Sequence, residues 1–331
     1  MRTAFLLAMI GCQPQPDEDP NPGPSSTNTG ANTPPGPNTT GPTTTPPGTV
    51  DGQRLTLTSG GVIEGERIAV YDMSVWWHNA EDDAVIAMFD PNGWADYPND
   101  QSVRQVRDSE VIGVEAIPLQ GLHYRDFLRD RGLVVDRSPL MGVSWVIMGN
   151  DGYHREEDGY GNYAWDLVKT DEAGVRYSGY GAANTDFLVW EEPVYLPVAG
   201  EVVEVVRDAP DNTPGAYAPD AVNNLVGIWL GGQHYLYLLH FRQNTIPAQV
   251  QVGAVLDAGT FVGNVGNSGV TLEPHLHVTA HRWDASDPLD ERMWSVPIEW
   301  KGLWTSASTS GATEHDYVTP ASFDWISSSE F

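Results

Sequence analysis

Short apolar runs, alternating with polar residues, recur along most of the chain and predict strands rather than helices. The first group lies in the N-terminal half, where β-branched side chains are frequent and turn residues separate the runs. The strands predicted there cover residues 54–58, 68–71, 84–89 and 111–117. The only helix predicted in this part runs from His123 to Arg131 and is ended by Gly132.

The pattern becomes denser from Val143 onwards, and it again has the period of two that is typical of strands. Two strands are predicted on either side of Ala199-Gly200, and a hairpin is predicted around Gly231-Gly232-Gln233. The strands predicted in this region cover 143–148, 193–198, 201–206, 225–230, 235–241, 252–253 and 261–266. Closely spaced strands with glycine-rich turns predict a mainly β fold, an antiparallel sheet or sandwich.

Composition divides the chain of 331 residues into segments. Residues 13–50 consist largely of Pro, Thr, Gly and Asn, cannot bury a core and are predicted to be a disordered linker. A small β-rich accessory domain is predicted for 51–140, and a second, larger domain for 141–300. The tail 301–331 is rich in Ser and Thr and is predicted to be a loop with one closing strand.

The N-terminus has the features of an export signal. Met1-Arg2 is a positive start, Thr3–Ile10 is apolar, and Met9-Ile10-Gly11-Cys12 resembles a bacterial lipobox. Residues 1–12 are therefore predicted to be a lipoprotein signal peptide; the alternative is a stray cysteine near the start. The expected location is the bacterial cell envelope, at the outer membrane and facing the periplasm or the surface, with membrane contact only through a lipid on Cys12.

The formal net charge of −28 argues against nucleic acids and anionic bilayers as partners, because both would be repelled. Cys12 is the only cysteine, so an intrachain disulfide is excluded. The sequence does not determine the oligomeric state, and a monomer is the expectation.

The candidate chemistry lies at polar residues that interrupt the β pattern. His275 and His277 flank one leucine on a predicted strand, so both imidazoles would face one side, as a metal ligand and an acid or base, or as a surface pair. Asp166 ends the apolar run Tyr163-Ala-Trp, and His240 ends another. A carboxylate in an apolar strand needs a partner or a metal.

Four segments, in this order, resemble the catalytic domain of the lysostaphin/LytM-type zinc metalloendopeptidases, which cut peptide bonds in peptidoglycan. The segments are Tyr163-Ala-Trp-Asp166, Pro193-Val-Tyr-Leu-Pro-Val-Ala-Gly-Glu-Val-Val, Tyr237-Leu-Leu-His240-Phe, and Val252-Gly253 through Gly263-Asn-Val-Gly-Asn-Ser-Gly269 to Glu273-Pro-His-Leu-His277. The resemblance implies a duplicated-hybrid-motif-like β fold and a zinc metallopeptidase domain over 141–300.

The resemblance also implies roles for individual residues. Asp166 and His277 match two zinc ligands, and His240 and His275 match the two histidines that do not bind the metal. His275 is expected to be the general base, and His240 to stabilise the oxyanion or share the proton transfer.

The position of the first zinc ligand differs from the family pattern. Asn162 stands where the simplest motif has a histidine, and His154, further upstream, is predicted to be the ligand instead. Glu156, Glu157 and Asp158 are the fallback ligands, and an empty site is the remaining possibility.

Two other functions compete with the zinc enzyme. A catalytically inactive LytM-like module would bind peptidoglycan or regulate a wall hydrolase, and Asn162 is the residue that favours it. A serine hydrolase using Ser268 lacks the Gly-x-Ser-x-Gly spacing, so Ser268 is predicted to be a turn residue. The remaining histidines outside the motifs are predicted to be surface residues: His123, His234, His281 and His315.

Overall fold

The computed structural model describes residues 49–72, 84–91, 103–148, 163–216, 218, 220–283, 294–308 and 311–330. One helix, α1 (Tyr124–Asp130), and two short 3₁₀ turns, Asp108–Glu110 and Asn184–Asp186, accompany the strands in these ranges. The strands are β1 (Thr49–Leu57), β2 (Val62–Asp72), β3 (Ala84–Phe89), β4 (Val103–Arg107), β5 (Val111–Gln120), β6 (Ser144–Met148), β7 (Ala164–Val168), β8 (Pro193–Tyr195), β9 (Gly200–Val206), β10 (Leu225–Gly231), β11 (His234–Leu239), β12 (Val255–Leu256), β13 (Phe261–Asn264), β14 (Leu276–Arg282), β15 (Trp294–Ser295), β16 (Trp300–Ser306), β17 (Thr313–Val318) and β18 (Trp325–Ser327).

The described strands form three sheets whose ladders are all antiparallel. The N-terminal sheet has the order β4-β3-β2-β1-β5. The large sheet runs β12-β9-β10-β11-β14-β7-β6-β18-β16-β17, with β15 paired to β14, and β13 pairs with β8 separately. The predicted mainly β, antiparallel fold class is confirmed.

Most predicted elements are present close to their predicted bounds. Helix α1 ends before Gly132, whose φ of 69° lies in the left-handed region that glycine adopts without strain. The hairpin β10–β11 turns at Gly232-Gln233, with positive φ at Gly231 and Gly232. The strand predicted at 252–253 is wrong, because the pairing with β9 begins at Val255. The predicted linker overlaps β1, which already includes Thr49 and Val50.

The N-terminal sheet, helix α1 and the strand β16 contribute to the same apolar core as the central strands. Phe89 and Phe127 belong to one continuous buried cluster with Trp165 and Trp300, whose rings pack edge to face 5.6 Å apart. Burial of apolar area on this scale is the main stabilising contribution to folding. The domain boundaries at 50, 140 and 300 stay predictions.

The C-terminal segment is more ordered than predicted. It forms β16, β17 and β18 rather than a loop with one strand, and β18 pairs with β6 through Trp325 and Trp145. Leu303 and Ile326 are fully buried, and the Trp165 indole N–H donates to the Pro320 carbonyl at 2.9 Å. Ser and Thr lie between these buried residues. The high Ser and Thr content of the segment therefore concealed the alternation of apolar and polar residues that is typical of a strand.

The prediction that His234 and His281 are surface residues is wrong, since both are buried. His123 is half exposed, and His315 is partly buried beside Thr305. His234 Nε2 hydrogen-bonds the Tyr124 hydroxyl at 2.5 Å, which connects β11 to helix α1. Burial, and then the charges of Arg282 and Arg131, lower the pKa of His234 to about 3.

Several predictions fall outside the described residues: the signal peptide, the lipobox, residues 13–48 of the linker, and His154 with its fallback ligands. Within the described ranges, no helix is long and apolar enough to cross a membrane.

The buried His234 predicts a loss of stability in acid. In the folded protein the imidazole stays neutral, whereas the unfolded chain takes up a proton below the ordinary pKa of about 6.5. The stabilisation that comes from burying the neutral His234 is therefore complete above pH 6.5. It decreases as the pH falls from 6.5 to about 3. At pH 4.5 the loss in the free energy of unfolding is about 2–3 kcal/mol.

Urea unfolding of the wild type and of His234→Gln at pH 7.5 and 4.5 measures this loss. The wild type should lose about 2–3 kcal/mol more than the variant between the two pH values. All other titrating groups are common to both proteins, so equal losses would contradict the assignment.

Candidate active site

The candidate site lies where three neighbouring strands meet in register. In the large sheet, Leu239 of β11 pairs with His277 of β14, and His277 in turn pairs with Asp166 of β7. Paired residues on adjacent strands point to the same face of a sheet. The imidazole of His277 and the carboxylate of Asp166 are therefore placed side by side by strand pairing alone.

The other two histidines flank these strands. His275 directly precedes β14, and His240 directly follows β11. His240 has a φ of 68°, in the left-handed region that non-glycine residues seldom adopt and that is frequent at functional sites. The ring centroids of His240 and His275 lie 4.6 Å apart. The two outlying histidines are thus directed towards one another instead of continuing along their strands.

The four predicted residues form one buried cluster. Asp166, His240, His275 and His277 are each at most 6 % exposed. His277 Nδ1 lies 2.9 Å and His275 Nε2 lies 3.4 Å from Asp166 Oδ1. One ring nitrogen from each of the three histidines lies within 4.8 Å of the other two. The structure therefore brings together the residues that the sequence predicts, apart from His154, which lies outside the described residues.

Backbone carbonyls determine which nitrogen of His240 carries the proton. Nδ1 lies 2.7 Å from the carbonyl oxygen of Ser268, and a carbonyl can only accept, so Nδ1 is the protonated nitrogen. Nε2 is buried and has no hydrogen-bond partner in the described part of the chain. Burial, and then the neighbouring His275 and His277, hold the pKa of His240 well below its usual value. The imidazole is therefore neutral, with an electron pair on Nε2.

A backbone carbonyl also determines which nitrogen of His275 carries the proton. Its Nδ1 lies 2.9 Å from the Glu273 carbonyl oxygen and 3.3 Å from Thr271 Oγ1. The Thr271 hydroxyl itself donates to the Glu273 carbonyl at 2.8 Å, which leaves its oxygen as an acceptor for His275. Nδ1 of His275 therefore carries the proton, and Nε2 is the nitrogen directed at Asp166.

The turn before β14 is held against the strand ends by close backbone contacts. Gly269 has a φ of 88°, and a Cβ there would lie 1.6 Å from the Asn223 side-chain oxygen, so only glycine fits. Ser268 Oγ accepts from the Asn224 N–H at 3.0 Å and donates to the Phe241 carbonyl at 2.8 Å. Ser268 is fully buried and bonded to backbone, consistent with its predicted turn role and not with that of a nucleophile.

Sequence patterns missed the residues that support the histidines. Thr271 and Glu273 lie inside the motif before His275, so their position was a usable signal. Arg176 forms an ion pair with Glu273, with Nε 2.8 Å from Oε1, and is nearly 100 residues away along the chain. Asn224 carries no local signal either. Its N–H donates to Ser268 Oγ, and its side-chain amide donates to the carbonyls of Ala209 and Phe241, all of which are remote along the chain.

No model of a known protein family matches the chain, and no curated protein matches it. Among solved structures the chain is similar to a protein from Ruminococcus gnavus described as a candidate glycyl-glycine endopeptidase LytM, with 18% identity and a TM-score of 0.30. That match covers 50% of this chain and 57% of the other, so the chain spans little more than half of that relative.

Two further solved structures are similar. The lysostaphin catalytic domain from Staphylococcus simulans has 18% identity and a TM-score of 0.25, covering 51% of this chain and 96% of that domain. A zinc-containing peptidase from Vibrio cholerae has 12% identity and a TM-score of 0.27, covering 70% of this chain and 75% of that protein. The structural neighbours of the chain thus include a LytM-type peptidase and the lysostaphin catalytic domain.

Proposed function

We propose that the cluster of Asp166, His240, His275 and His277 binds one Zn²⁺ and hydrolyses peptide bonds in bacterial peptidoglycan. The observation that carries the proposal is the convergence of one carboxylate and three imidazoles in a buried site. Imidazole and carboxylate are donors that zinc prefers in catalytic sites. Peptidoglycan as the substrate rests on the four sequence segments that resemble lysostaphin/LytM-type enzymes.

The spacing of the donor atoms fits a metal. Two ligand atoms on one tetrahedral zinc ion lie about 3.3 Å apart, as follows from bond lengths of about 2.0–2.1 Å. Asp166 Oδ1 and His277 Nδ1, the two proposed ligand atoms in the described residues, are 2.9 Å apart. A carboxylate as deeply buried as Asp166 also needs compensation for its lost hydration, which a cation supplies.

Asp166 and His277 would hold the metal, together with His154 as the predicted third protein ligand. When bound, zinc lowers the pKa of a water molecule to about 7 and polarises the scissile carbonyl.

His275 is the proposed general base. With the proton on Nδ1, its Nε2 can accept a proton from the attacking water and deliver it to the leaving amine. Nε2 of His240 is likewise an acceptor, because the Ser268 carbonyl holds the proton on Nδ1. In this tautomer His240 can take part in the proton transfer. It can donate a hydrogen bond to an oxyanion only after Nε2 has been protonated.

The alternative is an inactive module with the same fold. Asn162, in place of the first family ligand, is the observation that favours it. Such a module would need no acceptor nitrogens in a buried cluster, whereas His240 and His275 both present one.

Metal content and hydrolysis test the two functions together. The full chain should bind about one zinc by elemental analysis, and chelation should abolish the release of new amino termini from purified sacculi. Asp166→Asn and His277→Gln should lose zinc, because the first removes the carboxylate charge and the second removes the imidazole nitrogen. His275→Gln should keep zinc and lose about a hundredfold to ten-thousandfold in kcat.

Wild-type protein without zinc would refute the enzyme, as would full activity in His275→Gln. Zinc binding without hydrolysis of sacculi with direct or glycine-bridged cross-links would instead identify the inactive module. Mass spectrometry of the products identifies the bond that is cut.

A separate prediction concerns the third ligand. His154→Ala should lose zinc while the protein remains folded, because a site with two protein ligands binds zinc weakly. His123→Ala is the matched control, since His123 is exposed and pairs with Glu66. Unchanged zinc content in His154→Ala would exclude His154 as a ligand.

We also propose that the protein is an exported bacterial lipoprotein anchored through Cys12. Expressed with its signal, the wild type should incorporate labelled fatty acid and sediment with membranes. Cys12→Ser should do neither, because no other cysteine can carry the lipid. A Cys12→Ser protein that still incorporates the label would rule out this anchor.

A further inference from the structure

The face of the large sheet that carries Asp166 and His277 continues across β11, β10 and β9, and we call it the active-site face. Strand pairing places a second row of residues on this face, two positions along each strand from the row that contains His277. The second row consists of Thr279, Tyr237, Gly227 and Glu204. With three strand spacings of about 4.8 Å and about 3.3 Å per residue along a strand, Glu204 lies about 16 Å from His277. About five residues of extended chain span this distance, so a peptide bound at the candidate site can reach Glu204.

Gly227 allows Tyr237 to reach Glu204 across the intervening strand β10. A Cβ on residue 227 would lie 2.5 Å from the Tyr237 ring, so the ring occupies the space in which a side chain of β10 would stand. The Tyr237 hydroxyl donates a hydrogen bond to Glu204 Oε2 at 3.3 Å. One carboxylate oxygen is thus oriented by the tyrosine, and Oε1 receives no hydrogen bond from the described residues.

The surroundings of Glu204 on this face are apolar. Tyr237 packs with the buried Leu225 and Leu239, and the partly buried Val206 lies beside them. Burial raises the pKa of Glu204, and the hydrogen bond from Tyr237 opposes this rise. Glu204 has no Lys, Arg or His partner among the residues that the structure describes. A partly buried carboxylate beside apolar side chains costs free energy that a bound cation would offset.

We propose that Glu204, oriented by Tyr237, is a specificity-determining residue that binds a primary ammonium group of the substrate peptide. A peptide carries such a group at its free amino terminus or on the side chain of a diamino acid. With Oε2 held by the tyrosine, the carboxylate offers one oxygen to a ligand. A single oxygen suits a compact ammonium, whereas a guanidinium binds best to two oxygens at once. The position of Glu204 relative to the scissile bond rests on the proposed function, but its preference for an ammonium group does not.

Calorimetric titration of the full chain with a stem-type tetrapeptide, Ala-Glu-Lys-Ala, tests the proposal without requiring hydrolysis. Four forms of the peptide are compared: unmodified, acetylated at the amino terminus, acetylated on the lysine side chain, and acetylated at both. The wild type should bind the unmodified peptide about tenfold to a hundredfold more tightly than the doubly acetylated one, because a charge-assisted hydrogen bond is lost. The two singly acetylated peptides identify which of the two amines is bound.

The variant Glu204→Gln separates the charge of this residue from a structural role. Its side-chain oxygen can still accept from Tyr237, so the tyrosine stays in place, but the carboxylate charge is removed. Glu204→Gln should bind all four peptides as weakly as the wild type binds the doubly acetylated one. Glu201→Gln is the matched control, since Glu201 lies on the same strand, is paired with Trp229 and carries the same charge. The control should keep the wild-type preference.

Equal affinity of the wild type for all four peptides would overturn the proposal, as would a preference that survives in Glu204→Gln or is lost equally in Glu201→Gln. Urea unfolding checks that Glu204→Gln is folded. If this variant does not fold, Tyr237→Phe removes the donor that orients the carboxylate and should weaken the preference severalfold. An unchanged preference in Tyr237→Phe would contradict the role of the tyrosine.

Kinetics give a second readout, which rests on the proposed function. On cross-linked muropeptides with a free amine, Glu204→Gln should raise KM about tenfold with kcat within about twofold, because the lost contact is made in the ground state and in the transition state alike. On the same muropeptides after acetylation, the wild type and Glu204→Gln should have equal KM values. A wild type that hydrolyses nothing would refute the proposed function, while the calorimetric result would still decide the role of Glu204.

Discussion

The pairing of β11, β14 and β7 is the constraint on which the candidate site depends. It places Leu239, His277 and Asp166 in one row across three strands. A slip of one residue in either ladder would turn His277 or Asp166 to the opposite face, because side chains alternate with a period of two. The register is secured by the apolar residues that alternate with them, Leu276 and Val278 on β14 and Trp165 and Leu167 on β7, all of which are buried.

The residues that surround Leu239, His277 and Asp166 decide which nitrogen carries the proton in His240 and in His275. Ser268 and Glu273, through their carbonyls, each assign the proton of one imidazole to Nδ1. Both belong to the turn before β14, and its contacts with Asn224 and Arg176 come from two different sides of the site. The acceptor nitrogens of the cluster are thus a property of one turn and its supports, and not of the histidines alone.

The N- and C-terminal strands matter to the site through packing. Trp300 of β16 packs on Trp165, the residue next to Asp166 in β7. Helix α1 is connected to β11 by the buried contact of Tyr124 and His234. Close packing leaves little freedom for either strand to shift, so segments with no part in the proposed chemistry still contribute to the geometry of the site.

The sequence by itself determined the local structure and the composition of the cluster. Alternating apolar residues and glycine turns predicted the strands, the β10–β11 hairpin and helix α1, because these signals act over a few neighbouring residues. The motif around His275 and His277, with Asp166 and His240, identified the residues that converge. The failures included the strand at 252–253, the C-terminal strands, and the two buried histidines His234 and His281. The burial of these histidines depends on partners that no local pattern names.

Only the tertiary structure decided how these residues meet. His277 and Asp166 are 111 positions apart, and their contact follows from a register that is set by packing between distant strands. The tautomers of His240 and His275 depend on which carbonyl faces each ring, and the support from Arg176 depends on a loop that follows another strand. Residue types and spacing predict which groups are available, whereas distances and hydrogen-bond directions arise from contacts between segments that are remote along the chain.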